Sequence, residues 1–247
     1  MVIGFCGSGN MAAAMARGWA DEIDGMLYTD SGSGRAADLA AELGGEALDS
    51  NAELAERADV VVLAVKPARL EEVAAELEGA KAVVSLLGAT PLSRIESAFP
   101  GADAIRVMPN IAVEVQRGVL CVAGAEAPEV REMLALLGHV VDLPDEEFDA
   151  ATAVMGCAPA YLALAVEALA DAGADAGLDV ELARELVVET TGGTAELLRR
   201  RHPADVREAV ASPGGSTEAG LEALDQEGAR EAFEAAVRAS LERMRGS

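Results

Sequence analysis

Over the first 145 or so residues, short runs of β-branched and other apolar residues alternate with alanine-rich stretches. We predict strands at residues 2–5, 26–29, 59–65, 82–86, 104–107, 119–123 and 140–143, and helices at 11–20, 35–43, 51–57, 70–77, 92–98 and 128–137. Regular alternation of strand and helix is typical of a parallel sheet with helices on both faces. The pattern therefore predicts an α/β fold with a doubly wound parallel sheet.

The pattern changes after residue 147, where strand-like runs stop and apolar positions recur three and four residues apart. This spacing predicts helices at 159–172, 180–200, 204–210, 217–226 and 229–244. We therefore expect two domains, an α/β domain at 1–147 and an all-helical domain at 148–247. The predicted helices of this domain contain only Tyr161 and Phe233 as aromatic residues, so the domain has little material for a core of its own. Such helices commonly bury a face against a second subunit, so we expect a homodimer or a higher homo-oligomer.

The composition narrows the class of protein. Hydrophobic residues make up 51% of the 247 residues, yet no uninterrupted apolar run approaches the ~20 residues that cross a bilayer. No basic leader precedes the first predicted strand, so we expect a cytoplasmic protein without a membrane partner. Three cysteines without a close pair exclude a disulfide framework and a CxxC metal site, and we expect no metal.

Acidic residues dominate the charge. There are 43 acidic and 19 basic side chains, for a net charge of −24, and Lys66 and Lys81 are the only lysines. Such a chain would repel nucleic acid and anionic membranes, so neither is an expected partner. Carboxylates lie on every predicted helix except 11–20, which favours a halophilic protein, because concentrated salt screens the repulsion between them. The alternative is an acidic protein from an ordinary cell.

A glycine-rich turn directly follows the first predicted strand and opens the first helix. Its residues have the GxGxxA spacing of a dinucleotide-binding turn: Gly7, Ser8, Gly9, Asn10, Met11 and Ala12. The first glycine permits the tight turn, the second lets a pyrophosphate approach the backbone, and the helix N-terminus supplies amide donors. The alternative is a glycine-rich turn without a ligand.

The end of the second predicted strand bears on the choice of cofactor. Asp30 stands where an acid would hold the ribose 2′-hydroxyl of NAD, whereas Ser31, Ser33 and Arg35 suit the 2′-phosphate of NADP. Asp30 is equally consistent with a turn former, and Arg35 with a solvated charge. We predict NADP as the cofactor, with NAD possible.

Two further predicted strands lead into a polar residue and a proline. Ligands bind at the carboxyl ends of parallel strands, so these residues are candidates for cofactor contacts. The first set of candidates is Ala64, Val65, Lys66 and Pro67, and the second is Met108, Pro109 and Asn110, which follow Arg106 and Val107. The alternative for each set is an ordinary turn after a strand.

A glycine-rich loop lies between two predicted helices, at Ser212, Pro213, Gly214, Gly215, Ser216 and Thr217. Its glycines free the backbone to direct successive N–H groups at a carboxylate, and Ser216 or Thr217 can cap the helix or contact a substrate. The alternative is a simple interhelical turn.

Together these motifs resemble the pyrroline-5-carboxylate reductase family, along nearly the whole chain. The matching segments are GSGNMA at 7–12, AVKP at 64–67, RVMPN at 106–110, APAY at 158–161 and SPGGST at 212–217. Asn51 also falls where the family places a cofactor-contacting asparagine.

The resemblance implies an oxidoreductase that reduces 1-pyrroline-5-carboxylate, a cyclic imine, to L-proline with NAD(P)H, the last step of proline biosynthesis. It implies a Rossmann-type N-terminal domain and a C-terminal helical dimerisation domain, with the active site between them. It also implies that Ser212, Gly214 and the amides of Gly215, Ser216 and Thr217 form the substrate cradle, and that the Thr217 hydroxyl meets the ring nitrogen in a catalytic role. No catalytic histidine is required, and we expect His139 and His202 at the surface.

The chain also departs from the family pattern. Residues 155–161 read MGCAPAY where the family has SGSGPAY, which makes a polar wall more apolar. Ile111-Ala112 and Leu86-Leu87 differ as well. These changes leave open a related imine or β-hydroxyacid reductase, or a paralogue that binds a dinucleotide with weakened turnover.

Overall fold

The structure is a computed structural model and describes residues 1–246. The chain divides into two compact units, one of residues 1–157 together with those from Leu241 on, and one of Ala158–Ser240. The predicted boundary at 147 lies ten residues before the division at 157. The intervening residues group with the first unit, where Phe148 is fully buried.

The first unit is built on one eight-stranded sheet in the order β3-β2-β1-β4-β5-β6-β7-β8. Its strands are β1 (Ile3–Cys6), β2 (Met26–Thr29), β3 (Glu46–Ala47), β4 (Val60–Leu63), β5 (Ala82–Ser85), β6 (Asp103–Pro109), β7 (Gly118–Gly124) and β8 (Gly138–Asp142). The chain leaves β1 for β2 and β3 on one side and then returns to β4 on the other. The order of the strands therefore reverses between β1 and β4, the place where doubly wound sheets bind ligands.

Helices cover both faces of this sheet. They are α1 (Asn10–Trp19), α2 (Arg35–Leu43), α3 (Asn51–Arg57), α4 (Leu70–Glu76), α5 (Leu92–Ala98) and α6 (Pro128–Ala135). Alternate residues of a strand point to opposite faces. In β4, Val60 and Val62 pack into a core with Trp19 of α1, and Val61 and Leu63 pack into a second core with Leu54 of α3. Both faces are thus buried, which explains the continuous apolar runs in the sequence.

The predicted doubly wound α/β class is confirmed, with one difference in strand direction. Strands β1 to β6 pair only in parallel with one another, but β7 pairs antiparallel with β6 and parallel with β8. Only a 3₁₀ turn, Ile111–Val115, lies between β6 and β7. Because a parallel crossover needs a dozen or more residues, this short connection reverses the chain. The two-residue β3 was not predicted.

Between the sheet and the second unit, the chain forms a 3₁₀ turn (Asp145–Glu147), the short helix α7 (Phe148–Ala151) and a π-helical segment (Thr152–Gly156). The second unit then contains α8 (Ala158–Asp175), α9 (Val180–Leu198), α10 (Pro203–Val210), α11 (Ser216–Gln226) and most of α12 (Ala229–Arg245). Asp179 caps α9 by accepting hydrogen bonds from the amides of Glu181 and Leu182. Both histidines are exposed, as expected, and Nδ1 of His202 accepts from the Ala204 amide at the start of α10.

The helices of the second unit leave large apolar side chains exposed. Ala183 is the one buried side chain among its described residues, whereas Leu164 and Leu169 are more than 60% exposed. The continuous helical stretch Asp145–Asp175 is, by length and composition alone, long and apolar enough to cross a membrane. Carboxylates such as Glu167 and Asp171 interrupt this stretch, so it contains no uninterrupted apolar run of the ~20 residues that cross a bilayer.

Candidate active site

A cleft of about 1310 Å³ lies at the carboxyl ends of β1, β2 and β4, where the strand order reverses. Its walls come from the turn before α1, the loop before α2, the start of α3, the end of β4 and α4. Ten of the predicted cofactor residues line it: Gly7, Ser8, Gly9, Ser31, Arg35, Asn51, Ala64, Val65, Lys66 and Pro67. The fold therefore brings together residues that lie up to 60 positions apart in sequence.

The turn from β1 to α1 has the geometry that a pyrophosphate needs. Gly7 has φ +97°, and a Cβ there would lie 2.8 Å from the Ala64 carbonyl oxygen, so only glycine fits. A Cβ on Gly9 would meet nothing within 4 Å, so the backbone is open on that side. The first turn of α1 has neither a side-chain cap nor an acidic residue. Its amides are therefore available to an anion, and the turn fits a dinucleotide.

Ser8 is buried in this turn, with 5% of its surface exposed, and its hydroxyl donates to the Thr29 carbonyl at 3.0 Å. The side chain thus joins the ends of β1 and β2. Asn10 and Met11, also predicted as cofactor residues, lie in the first turn of α1 but outside the lining of the cleft.

The Asp30 carboxylate is occupied by its own loop. Oδ1 accepts from the amides of Gly32 at 2.6 Å and Ser33 at 2.9 Å, and Oδ2 accepts from the Ala36 amide at 2.8 Å. Burial alone would raise the pKa of Asp30, but these hydrogen bonds outweigh it and hold the pKa below its usual value. Three of about four lone-pair positions on the carboxylate are thus filled by backbone. Asp30 shapes the loop that presents the exposed side chains of Ser31, Ser33 and Arg35.

Two cations of the cleft are unpaired in the part of the chain that the structure describes. Arg35, the first residue of α2, and Lys66, at the end of β4, have no carboxylate within 4 Å among residues 1–246. Arg69, by contrast, donates twice to Glu72, at 2.6 and 3.0 Å. Arg35 and Lys66 are therefore the cations best able to meet an anionic ligand.

Asn51 begins α3 behind the N-cap Ser50 and contacts three other elements. Its Oδ1 accepts from the Thr29 hydroxyl at 2.6 Å and the Cys6 thiol at 3.4 Å, and its Nδ2 donates to Glu76 at 2.6 Å. Burial raises the pKa of Cys6 to about 12, so this thiol stays protonated.

Met108, Pro109 and Asn110 lie outside the cleft, at the carboxyl end of β6, with β5 between β6 and β4. Asn110 is engaged with backbone on both sides: its Oδ1 accepts from the Val119 amide at 3.2 Å, and its Nδ2 donates to the Met155 carbonyl at 3.3 Å. These bonds tie the end of β6 to β7 and to the π-helical segment.

The predicted substrate loop lies in the second unit, between α10 and α11. Gly214 has φ +71°, and Gly215 is the extended N-cap of α11, with no side chain capping the helix. The Gly215 amide donates to the Ser212 carbonyl at 2.9 Å, and the Gly214 amide donates to Glu218 at 2.6 Å. The Ser216 and Thr217 amides have no acceptor among the described residues, and both residues are exposed. These two N–H groups are therefore free to hold a carboxylate.

Sequence reasoning did not select several residues that line the cleft, namely Cys6, Thr29, Asp49, Ser50, Arg69, Glu76 and Glu78. Thr29 ends β2 and follows the same carboxyl-end rule that pointed to Asp30, so it could have been found. Glu76 ends α4 and Glu78 lies two residues beyond it. Neither carries a local sequence signal, because only the packing of α4 beside β4 brings them to the cleft.

Family models match both parts of the chain. Residues 145–247 match pyrroline-5-carboxylate reductase dimerisation, and residues 2–88 match NADP oxidoreductase coenzyme F420-dependent. A pyrroline-5-carboxylate reductase of Synechocystis is 39% identical over 204 residues, which cover 78% of this chain and 76% of that protein. The chain belongs to the pyrroline-5-carboxylate reductase family. A reductase of Methanosarcina acetivorans is 32% identical over 259 residues, covering 96% of this chain and 95% of that protein.

Solved structures of the family have the same fold. A 1-pyrroline-5-carboxylate reductase of Streptococcus pyogenes superposes with a TM-score of 0.90 at 28% identity, covering 100% of this chain and 99% of the other. A pyrroline carboxylate reductase of Plasmodium falciparum with NADP bound superposes with a TM-score of 0.88 at 27% identity, covering 100% and 97%. The predicted family and fold class are thereby confirmed.

Proposed function

We propose that the chain reduces 1-pyrroline-5-carboxylate to L-proline with a hydride from NADPH, the last step of proline biosynthesis, in the cytoplasm. The observation that carries the proposal is the uncapped start of α11. In a member of this family, the amides of Ser216 and Thr217, which have no acceptor among the described residues, are available to donate hydrogen bonds to the substrate carboxylate. The expected domain roles follow, with the N-terminal α/β region binding the dinucleotide and the C-terminal helical region binding substrate and dimerising.

The cofactor is assigned to the cleft at the ends of β1, β2 and β4. The open backbone at Gly9 and the uncapped α1 fit the pyrophosphate, and Lys66 adds an unpaired cation. When bound, NADPH supplies the hydride that reaches C5 of the imine. Asn10, Met11, Met108, Pro109 and Asn110 remain predicted contacts beyond the cleft.

The substrate role of the loop rests on its hydrogen-bond donors. We assign the carboxylate to the amides of Ser216 and Thr217. The Gly215 amide donates to the Ser212 carbonyl within the loop. It can therefore bind the substrate carboxylate, as predicted, only when that hydrogen bond breaks. The Thr217 hydroxyl, on the same exposed turn, is assigned to the ring nitrogen. A protonated cyclic imine is already electrophilic, so its reduction depends chiefly on orientation.

The hydrogen bonds that the Asp30 carboxylate accepts favour NADPH over NADH as the cofactor. An acid that accepts hydrogen bonds from three backbone amides has little capacity left for a ribose 2′-hydroxyl. Arg35, by contrast, is unpaired among residues 1–246 and follows Ser31 and Ser33 in the same loop. We expect Arg35→Ala to weaken NADPH binding by up to about 2 kcal/mol, the scale of a charge-assisted hydrogen bond. NADH affinity should change little, because NADH lacks the 2′-phosphate. Calorimetric titration of both cofactors checks this, and an equal loss for both would contradict the assignment.

A second copy of the chain is the expected partner. Residues 145–247 match a dimerisation family, and the helices within this range expose large apolar side chains. Burial of those side chains against another subunit accounts for the thin core of the second unit and for the apolar stretch Asp145–Asp175. We therefore propose a homodimer or a higher homo-oligomer.

One assay tests the activity. Purified protein in high salt, offered 1-pyrroline-5-carboxylate and NADPH, should consume NADPH and form proline in equal amounts. Tight NADPH binding without proline formation would instead indicate a paralogue with weakened turnover. The apolar wall at Met155–Cys157 favours testing other cyclic imines, and a β-hydroxyacid with NADP⁺, in parallel. Faster turnover of one of those substrates would replace the proposed one.

A further inference from the structure

The hydrogen bonds around Asn51 raise the question of what fixes its orientation. A carboxamide can turn by 180° and exchange its oxygen and nitrogen, so its partners decide which atom points where. Here Oδ1 lies 2.6 Å from the Thr29 hydroxyl and 3.4 Å from the Cys6 thiol, while Nδ2 lies 2.6 Å from Oε2 of Glu76.

Two of these partners accept either orientation. The Thr29 hydroxyl also lies 3.3 Å from the Phe5 carbonyl, so it can donate there and accept a hydrogen bond from a turned Asn51. The Cys6 thiol stays protonated and is a weak donor and a weak acceptor. The Glu76 carboxylate differs from both because, when ionised, it can only accept. Glu76 alone therefore requires nitrogen, rather than oxygen, on its side of the Asn51 carboxamide.

We propose that Glu76 is a positioning residue of the cofactor site, whose carboxylate fixes the Asn51 carboxamide so that it offers an N–H to the cleft. Both oxygen lone pairs of Asn51 face Thr29 and Cys6, and one N–H binds Glu76. The second N–H is left for an acceptor atom of the bound dinucleotide. The inference rests on the proposed binding of NADPH in this cleft.

The negative charge of NADPH distinguishes a carboxylate that positions Asn51 from one that only lines the cleft. NADPH is strongly anionic, so a carboxylate that does no more than line the cleft opposes its binding. Removing such a charge should tighten binding, whereas removing a positioning group should weaken it. Glu78 provides the matched comparison, since it lines the same cleft but has no hydrogen bond or ion pair among residues 1–246.

The experiment compares Glu76→Ala and Glu78→Ala in the full-length protein by calorimetric titration with NADPH. We expect Glu76→Ala to raise the Kd about fivefold, the worth of one neutral hydrogen bond. The KM for NADPH should rise in parallel while kcat stays near the wild-type value. Glu78→Ala should leave the Kd unchanged or lower it. Both side chains are exposed, so we expect both variants to fold, and melting temperatures verify this.

The same substitution in a protein that lacks the Asn51 carboxamide shows whether Glu76 acts through Asn51 or directly on NADPH. In Asn51→Ala protein, adding Glu76→Ala should no longer weaken NADPH binding. If wild-type protein binds NADPH but Glu76→Ala behaves like Glu78→Ala, or weakens binding equally in both backgrounds, the positioning role is overturned and the proposed function stands. If wild-type protein does not bind NADPH at all, both are overturned.

Discussion

Thr217 is the residue on which the proposed chemistry depends most directly. A threonine at the start of a helix often caps it, and that role would explain the residue without a substrate. In this structure, however, Gly215 is the N-cap, and no side chain accepts a hydrogen bond from the first turn of α11. The Thr217 hydroxyl is exposed and has no intramolecular partner in the described chain. A capping role therefore has no support in the geometry.

We expect Thr217→Ala to lower kcat by about 10- to 100-fold, or roughly 1.4 to 2.7 kcal/mol of transition-state stabilisation. The variant keeps its backbone amides, so the carboxylate stays anchored while the ring nitrogen loses its hydroxyl partner. The NADPH Kd and the melting temperature should stay near wild-type values. Thr217→Ser restores the hydroxyl and is the control. A fully active but less stable Thr217→Ala variant would favour the cap instead.

Individual site residues were predictable where the local sequence sets their position. Gly7 and Lys66 were predicted because each follows a strand at the carboxyl edge of the sheet, and both line the cleft. The part played by Asp30 was not predictable, since an acid that holds the ribose of NAD and a turn former fit the same residue. The choice depends on three amides that fold back on its carboxylate. Glu76 was missed because it lies 25 positions from Asn51 in the sequence, and only the tertiary fold brings α4 into contact with it.

At the scale of elements, one ion pair attaches the segment that precedes the helical region to the sheet. Arg106 of β6 is 4% exposed, donates to Asp145 at 2.8 Å and lies over the Phe148 ring at 4.4 Å. Asp145 also accepts from the Leu92 amide at the start of α5. The 3₁₀ turn and α7 thus belong with the sheet, which explains why the compact unit continues past residue 147.

We expect Asp145→Ala to destabilise the protein by about 2 to 3 kcal/mol, because it leaves the buried Arg106 guanidinium without its counter-ion. That corresponds to a fall in melting temperature of about 5 to 10 °C for a chain of this size. Asp142→Ala is the control, since the Asp142–Arg131 pair is exposed and should contribute less than ~1 kcal/mol. Equal losses in the two variants would refute the importance of the buried pair.

Most helices and strands were predictable within a residue or two. Both faces of the sheet are buried, so its strands are continuous apolar runs, whereas apolar positions in the helices recur three and four residues apart. The predicted helices 35–43, 51–57 and 92–98 coincide with α2, α3 and α5. The direction of β7 was not predictable from its own residues, because a buried apolar strand has the same sequence pattern whether it pairs parallel or antiparallel. No helix was predicted between residues 143 and 159, where the structure has α7 and the π-helical segment Thr152–Gly156.

The exposed apolar face of α8 gives the second prediction at this scale. If α8 lies against a partner subunit, Leu164→Glu should shift the protein from dimer or higher oligomer towards monomer, because a buried unpaired charge is costly. Leu164 is 64% exposed in the single chain. The control is Leu136→Glu, which places the same charge on an exposed leucine of the first unit. Analytical ultracentrifugation measures both, and an unchanged oligomer in Leu164→Glu would place α8 outside the interface.

The whole molecule carries a net charge of −24, which a family relationship does not explain. Several exposed arginines pair with carboxylates, as Arg17 does with Glu42 and Arg94 with Glu71. With 43 acids against 19 basic residues, however, most carboxylates lack a cation. Their mutual repulsion opposes the compact state. We therefore propose that the protein is adapted to concentrated salt.

We expect the melting temperature to rise as KCl is increased from about 0.01 M to 1 M, over which the Debye length falls from roughly 30 Å to 3 Å. Screening over that range weakens repulsion between carboxylates on neighbouring helices, and the subunits of an oligomer gain in the same way. Sucrose at matched osmolality is the control, because it strengthens apolar burial without screening charge. NADPH binding should also survive in molar salt if the cleft's hydrogen bonds, rather than long-range attraction, dominate its affinity. A melting temperature that is highest in dilute buffer, or that rises equally in sucrose, would show that the acidic surface is not an adaptation to salt.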